Sequence, residues 1–132
     1  MADCIFCKIV AGEIPSVKVW EDEKFYAFLD INPVNPGHTL LIPKEHVDYL
    51  FDVEDPLYSE LFQAAKGLSK PLQKAMMSQR VGVVVEGLLV PHVHVHLIPI
   101  SAPGELDASR SAKAEPDKLK ETADRIRSEI KE

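Results

Sequence analysis

The chain has 132 residues, 45% of them apolar and 27% charged, with a formal net charge of −6. That length suits one compact domain with a real core, and that composition argues against disorder. The acidic balance gives no broad attraction for DNA or RNA, and no stretch approaches membrane-spanning length. The start, Met1-Ala2-Asp3-Cys4, lacks a basic region followed by a long apolar run, so a cytoplasmic protein without a secretory leader is expected. A small anionic ligand remains compatible, because a nest of amides or imidazoliums can hold one phosphate.

Residues 4–10 predict a short helical turn, and Gly12-Glu13-Ile14-Pro15 a reversal after it. Residues 17–20 and 25–29 are β-prone and separated by Glu21-Asp22-Glu23-Lys24, which predicts a hairpin. Residues 30–37 carry Pro33 and Pro36 and read as a loop, with a third strand at 38–43. Beyond it Leu57, Leu61, Ala65, Leu68, Leu72 and Met76 recur at helical spacing, with Asp55 as N-cap and Pro56 in the first helical position. Pro71 should kink this helix or split it near Ser69. Residues 81–85 predict a strand, interrupted by Glu86-Gly87 before a last strand at 91–99, and the two are most simply antiparallel. Residues 101–115 are rich in Ser, Ala, Gly and charge and read as a surface loop. Pro116 then opens a helix whose stripe of Leu119, Ala123, Ile126 and Ile130 should dock on the domain or on a second subunit. This order predicts an α+β fold: an antiparallel sheet of about five strands, a long central helix and a C-terminal helix. It is read as a single domain over residues 1–132, with a core at 4–99 and an extension at 100–132.

Chemistry concentrates in Pro91-His92-Val93-His94-Val95-His96-Leu97-Ile98-Pro99, which holds three of the five histidines. In a strand the three imidazoles share one face, while Val93, Val95 and Leu97 pack on the other. A polar sheet face could be built that way, but three in register favour a reactive site. Residues i and i+4 on an extended strand lie about 13 Å apart, so the three rings cannot converge on one metal ion. Divided roles fit better. His94, with a neighbour on each side, suits a nucleophile at phosphorus or a general base. His96 suits a donor to a phosphate oxygen or to a leaving group, and His92 is free to bind or orient something else.

Cys4 and Cys7, the only cysteines, lie too close together to staple a domain. They can supply the soft half of a zinc site completed by His46 and His92, a Cys2His2 set. A buried pair of free thiols is the plain alternative. A redox pair is weaker, because no strand precedes the two residues.

Cys4-Ile5-Phe6-Cys7-Lys8-Ile9, Phe28-Leu29-Asp30-Ile31, Pro36-Gly37-His38-Thr39-Leu40, Ile42-Pro43-Lys44-Glu45-His46 and the full His-Val-His-Val-His run occur in that order. Together they resemble the histidine triad family of nucleotide hydrolases and transferases, and within it the nucleoside phosphoramidases. The resemblance implies that His94 is the nucleophile, that His96 contacts the α-phosphate and that His38 supports the histidine network. It implies that Asp30 grips the ribose hydroxyls, and that Ile5, Phe6, Ile9, Phe28 and Ile31 form the base pocket. The backbone at Gly87 and Leu88 would touch phosphate. Cys4, Cys7, His46 and His92 would hold a structural zinc, with no organic cofactor. The implied substrate is a purine nucleotide, adenosine 5′-monophosphoramidate or a relative, cleaved through a nucleotidyl-histidine, and the implied assembly is a homodimer. Dinucleoside polyphosphate hydrolysis, nucleotidyl transfer and a non-catalytic nucleotide-binding scaffold are the rivals.

The chain departs from the family pattern before the triad. Ala-Gly-Gln is usual there, whereas Glu86-Gly87-Leu88-Leu89-Val90-Pro91 places Leu88 at the glutamine position. An asparagine expected earlier is missing, and Ile100 replaces a basic residue. These changes remove side-chain help for the phosphate or the leaving group. The C-terminal extension either closes the site or covers the sheet, and its loop is placed to help select the leaving group.

Overall fold

The computed structural model describes residues 4–130. The reading of Met1, Ala2 and Asp3 as free of a leader lies outside them, as do Lys131 and Glu132. Helix α1 (Ile5–Val10) is followed by strands β1 (Lys18–Glu21), β2 (Phe25–Leu29) and β3 (Thr39–Pro43), then helix α2 (Leu57–Met76). Strands β4 (Arg80–Val84) and β5 (Val95–Ile100) and helix α3 (Pro116–Glu129) complete the chain, with short 3₁₀ turns at Leu50–Asp52 and Ala108–Arg110. The five strands form one antiparallel sheet in the order β1-β2-β3-β5-β4. The α+β architecture expected from the sequence is the one observed.

Alternation along the strands divides the interior into two layers. Phe25, Ala27, Leu29, Leu41, Val93, Val95 and Leu97 enter the larger core, which α2 and α3 cover with Leu61, Ala65, Leu68, Leu72, Leu119, Ala123 and Ile126. Tyr26, Phe28, Leu40 and Ile42 project from the opposite face and meet Cys4, Phe6 and Ile9 of the α1 segment. Strands β2 and β3 are therefore buried throughout. The stripe of α3 docks on this domain's own core.

Three local features differ from the sequence reading. Helix α2 runs unbroken through Pro71. An interior proline ordinarily costs about 3 kcal/mol, through a lost hydrogen bond and a clash with the carbonyl four residues back. Here that carbonyl belongs to Gly67, which is exposed, so solvent can serve it. The helix also begins at Leu57, one residue later than expected, yet Asp55 still accepts from the Ser59 amide (3.1 Å) and hydroxyl (2.7 Å). Finally, regular strand geometry begins only at Val95, so His92 and His94 precede β5 instead of lying within it. The His92 amide turns back to the Val90 carbonyl and the Val93 amide reaches that of Val47, which takes this segment out of the ladder.

Gly37 fixes the approach to β3. Its φ is +88°, and a Cβ there would lie 2.6 Å from Cγ of Met76. Glycine alone suits both demands, and it delivers His38 to the edge of the cleft.

Candidate active site

A cleft of about 570 Å³ opens on the sheet face opposite α2 and α3. Ile5, Phe6 and Ile9 of α1, Phe28 of β2 and Ile31 wall one end, with Asp30 beside them. His38, His94 and His96 line its middle, and Gly87 and Leu88 its rim. Every residue that the sequence reading assigned to catalysis or nucleotide binding therefore faces one cavity. The remaining four, Cys4, Cys7, His46 and His92, form a separate cluster whose ligand atoms lie within 4.8 Å of one another.

Hydrogen bonds fix the tautomers along the triad. Nδ1 of His94 lies 2.7 Å from the His92 carbonyl, which can only accept, so Nδ1 carries the proton and donates. The lone pair of His94 is then on Nε2. His94 is 6% exposed, yet every fully enclosed side-chain nitrogen or oxygen among the described residues has a partner. Nε2 has none and therefore reaches the cleft. The ring packs edge-on against Phe6 at 5.1 Å and His96 at 4.9 Å between centroids. The ring is enclosed, with one nitrogen committed and the other open.

A second chain runs through His38. Its Nδ1 accepts from the Val34 amide at 3.0 Å, so its proton is on Nε2, which donates to Nδ1 of His96 at 2.9 Å. His96 must then carry its own proton on Nε2, the nitrogen left to face the cleft. Oδ2 of Asp30 lies 3.7 Å from His38 Nε2. Burial pushes the His38 imidazole below its ordinary pKa, against the opposing pull of Asp30. His96 is pushed down to about 4, by burial first and then by His94 and His38 beside it. At neutral pH His96 is a neutral N–H donor. Of the two roles open to it from sequence, donation to an anionic oxygen is the one this state supports.

The pKa of His96 has a consequence for stability. In the unfolded chain a histidine takes up a proton near pH 6.5, whereas the folded protein refuses it until about pH 4. The unfolded state binds more protons over that interval, so stability falls as pH drops from about 6.5 to 4 and gains nothing more above it. Urea midpoints at pH 7 and pH 5 should show this loss, and His96→Gln should shrink it. An unchanged difference in the variant would contradict the assignment.

In the cysteine cluster, Nε2 of His92 donates to the Pro43 carbonyl at 2.8 Å, which leaves Nδ1 as its free lone pair. That atom lies 3.3 Å from Sγ of Cys4 and 3.5 Å from Sγ of Cys7, while His46 Nδ1 is 3.2 Å from Cys7 Sγ. Burial, then the neighbouring Cys4, raise the Cys7 thiol pKa, a strain that a bound cation relieves. Bond lengths of about 2.0–2.3 Å from a tetrahedral zinc put its ligand atoms some 3.3–3.8 Å apart, so two sulfurs and two imidazole nitrogens at these separations fit that ion. The four side chains brought together are those that the sequence reading grouped as a Cys2His2 set.

The backbone partners of the site, the Val34 amide and the Pro43 carbonyl, carry no side-chain signal in the sequence. Leu106, Ala108 and Ser111 also line the cleft. They come from the 101–115 loop, which is tied across the mouth by amide bonds from Ala112 to Pro33 (3.3 Å) and from Ala114 to Ile31 (3.0 Å).

A five-stranded antiparallel sheet, with α2 and α3 on one face and a relay of histidines in a cleft on the other, defines a histidine-triad protein. The chain belongs to the HIT domain family, whose model matches residues 11–102. It is 41% identical over 107 residues, 74% of this chain and 70% of the other, to a Candida albicans protein named adenosine 5′-monophosphoramidase HNT1. Among solved structures, a Hit-like protein of Bartonella henselae superposes with a TM-score of 0.88 at 32% identity, covering 98% of both chains. A zinc-bound histidine triad family protein of Mycobacterium smegmatis gives 0.85 at 26% identity, covering 98% of this chain and 94% of that one.

Proposed function

We propose that the protein hydrolyses adenosine 5′-monophosphoramidate, or a related purine nucleoside phosphoramidate, through a nucleotidyl-histidine intermediate. The observation that carries this reading is His94, whose Nδ1–H is held by a backbone carbonyl while Nε2 alone faces the cleft. A neutral imidazole attacks phosphorus without first losing a proton. His94 Nε2 forms the bond to phosphorus as the phosphorus–nitrogen bond breaks, and the departing amine keeps the electron pair and takes a proton from solvent. The His96 Nε2–H donates to a phosphate oxygen as charge builds there, with His38 holding His96 in the required tautomer. Water then attacks the adduct and releases the nucleoside monophosphate. Asp30 accepts from the ribose hydroxyls, and the base lies among Ile5, Phe6, Ile9, Phe28 and Ile31. The phosphoramidase name carried by the fungal relative supports this choice.

Charge separates this reading from dinucleoside polyphosphate hydrolysis. Among the described residues the cleft lining contains no lysine or arginine, and its acidic groups are Asp30 and Glu86. A leaving group that bears several phosphates would enter without a counter-charge, whereas a neutral amine would not need one. Steady-state comparison should show turnover of adenosine phosphoramidate far above that of diadenosine polyphosphates. Asp30→Ala should raise KM about ten-fold or more with a smaller change in kcat, the scale of a lost charge-assisted hydrogen bond. A non-catalytic scaffold would bind AMP without turnover, and equal affinity in Asp30→Ala would remove the proposed ribose contact.

The reading extends to the cysteine cluster, where Cys4, Cys7, His46 and His92 would hold a structural zinc that takes no part in a reaction step and ties α1 to the triad segment. The zinc-bound mycobacterial relative supports it. A homodimer in the cytoplasm, with α2 contributing to the interface, completes the proposal. No helix among the described residues is long and apolar enough to cross a membrane.

A further inference from the structure

The cleft continues past the triad, away from the proposed nucleoside end, onto β4. Val84 pairs with His96 and Gly82 with Ile98, and cross-strand partners project from the same face. Gly82 therefore leaves bare backbone beside the histidines, and Leu106 of the 101–115 loop fills that space. A Cβ at position 82 would lie 2.6 Å from Cδ2 of Leu106. Leu106 is held there by its neighbours. Glu105 accepts from the Ser101 and Ala102 amides at 2.6 and 3.0 Å, and Asp107 from the Ser109 amide at 2.9 Å. Across from it, Gly87 (φ +75°) turns Leu88 and Leu89 over the rim, 83% and 95% exposed.

We infer that this end of the cleft is a leaving-group subsite for an uncharged apolar substituent, with Leu106 as its specificity-determining residue. The inference rests on the phosphoramidase reading and adds the class of amine that departs. Val84, Ile98, Leu106, Leu88 and Leu89 offer no side-chain hydrogen bond to a leaving group, and all five line the same cleft as His94. Glu86 at the rim disfavours an anionic substituent. An alkyl chain on the amine covers the two exposed leucines and lies along Leu106 and Val84. Burial of each methylene is worth about 0.8 kcal/mol, roughly four-fold in affinity when the contact is complete.

The test uses the full chain and adenosine 5′-phosphoramidates of methylamine, butylamine and hexylamine, whose leaving groups are alike in basicity, together with a methoxyalkyl amine of hexyl length. The expected kcat/KM for hexyl exceeds that for methyl by at least ten-fold, carried by KM, and the methoxyalkyl compound loses most of that gain. Leu106→Ala should cut the hexyl-to-methyl ratio about five-fold. Gly82→Ala, which lifts Leu106 into the cleft, should cut it through KM for the longest chain and tests the same wall if Leu106→Ala fails to fold. A flat series in the unsubstituted protein, or folded variants that keep its ratio, overturns the subsite while leaving phosphoramidase activity standing. A flat series joined to a change of oligomeric state in Leu88→Ser/Leu89→Ser, measured by light scattering, reassigns the rim to an interface between copies. No turnover of any member overturns the phosphoramidase reading and the subsite with it.

Discussion

Replacement of His94 by alanine is expected to lower kcat on adenosine phosphoramidate by a factor on the order of 10⁴–10⁶, the scale on which loss of a covalent nucleophile is felt. Neither neighbour can substitute. His96 commits Nδ1 to His38 and bears its proton on Nε2, while His38 has both nitrogens engaged. The fold should survive, though not without cost. His94 is enclosed and packs on Phe6, so a loss of about 1–2 kcal/mol is expected, less than for a fully buried large side chain. Circular dichroism and a urea midpoint would show a folded protein, and steady-state assays an inactive one. Retained turnover would remove His94 from the reaction.

The largest loss of stability is expected at His92. This side chain is fully buried, its Nε2–H serves the Pro43 carbonyl, and its Nδ1 faces both cysteines. His92→Ala would leave a cavity, orphan a buried carbonyl and delete one of the four proposed zinc ligands. The first two effects together should cost about 3–5 kcal/mol, before any metal is considered. Zinc content by elemental analysis should fall from one per chain towards zero, and the thermal midpoint should drop by at least ten degrees. His46→Ala, at a partly exposed position, should lose the zinc with a smaller fall in stability. A His92→Ala protein as stable as its parent would contradict the clustered geometry, and undiminished zinc would contradict the donor set. Activity should also suffer in His92→Ala, although the His92 carbonyl that orients His94 belongs to the backbone and remains. The reason is Phe6, which contacts both rings edge-on and carries the proposed base pocket on α1.

Much of this arrangement is legible in the sequence because it is written in side-chain identity and period. The alternation His-Val-His-Val-His sends the valines into the large core and the histidines to the other face. The helical recurrence from Leu57 to Met76 marks the helix that covers that core. The two cysteines, three positions apart, lie on a single turn with Cys4 as its N-cap, so their thiols approach one ligand position. What escaped depends on backbone and on long-range placement. The bend that takes His92 and His94 out of β5 arises from amide bonds to Val90 and Val47, and nothing in those residue types announces it. The Val34 amide fixes the tautomer of His38 without contributing a side chain. Pro71 reads as a helix breaker because propensity cannot show that the freed carbonyl of Gly67 faces solvent. Leu106 becomes part of the cleft only because Gly82, some two dozen positions earlier, has no side chain.

The proposed hydrolysis requires a covalent bond between the middle triad imidazole and phosphorus. Rapid quench of a single turnover with adenosine phosphoramidate labelled in the adenine ring tests it directly. The label should appear on protein within the first turnover, on the peptide that contains His94, and should leave as AMP at the rate of the second step. Release of labelled AMP at full rate with no protein-bound label at any time would show that water attacks the substrate directly, and the nucleophilic role of His94 would be wrong.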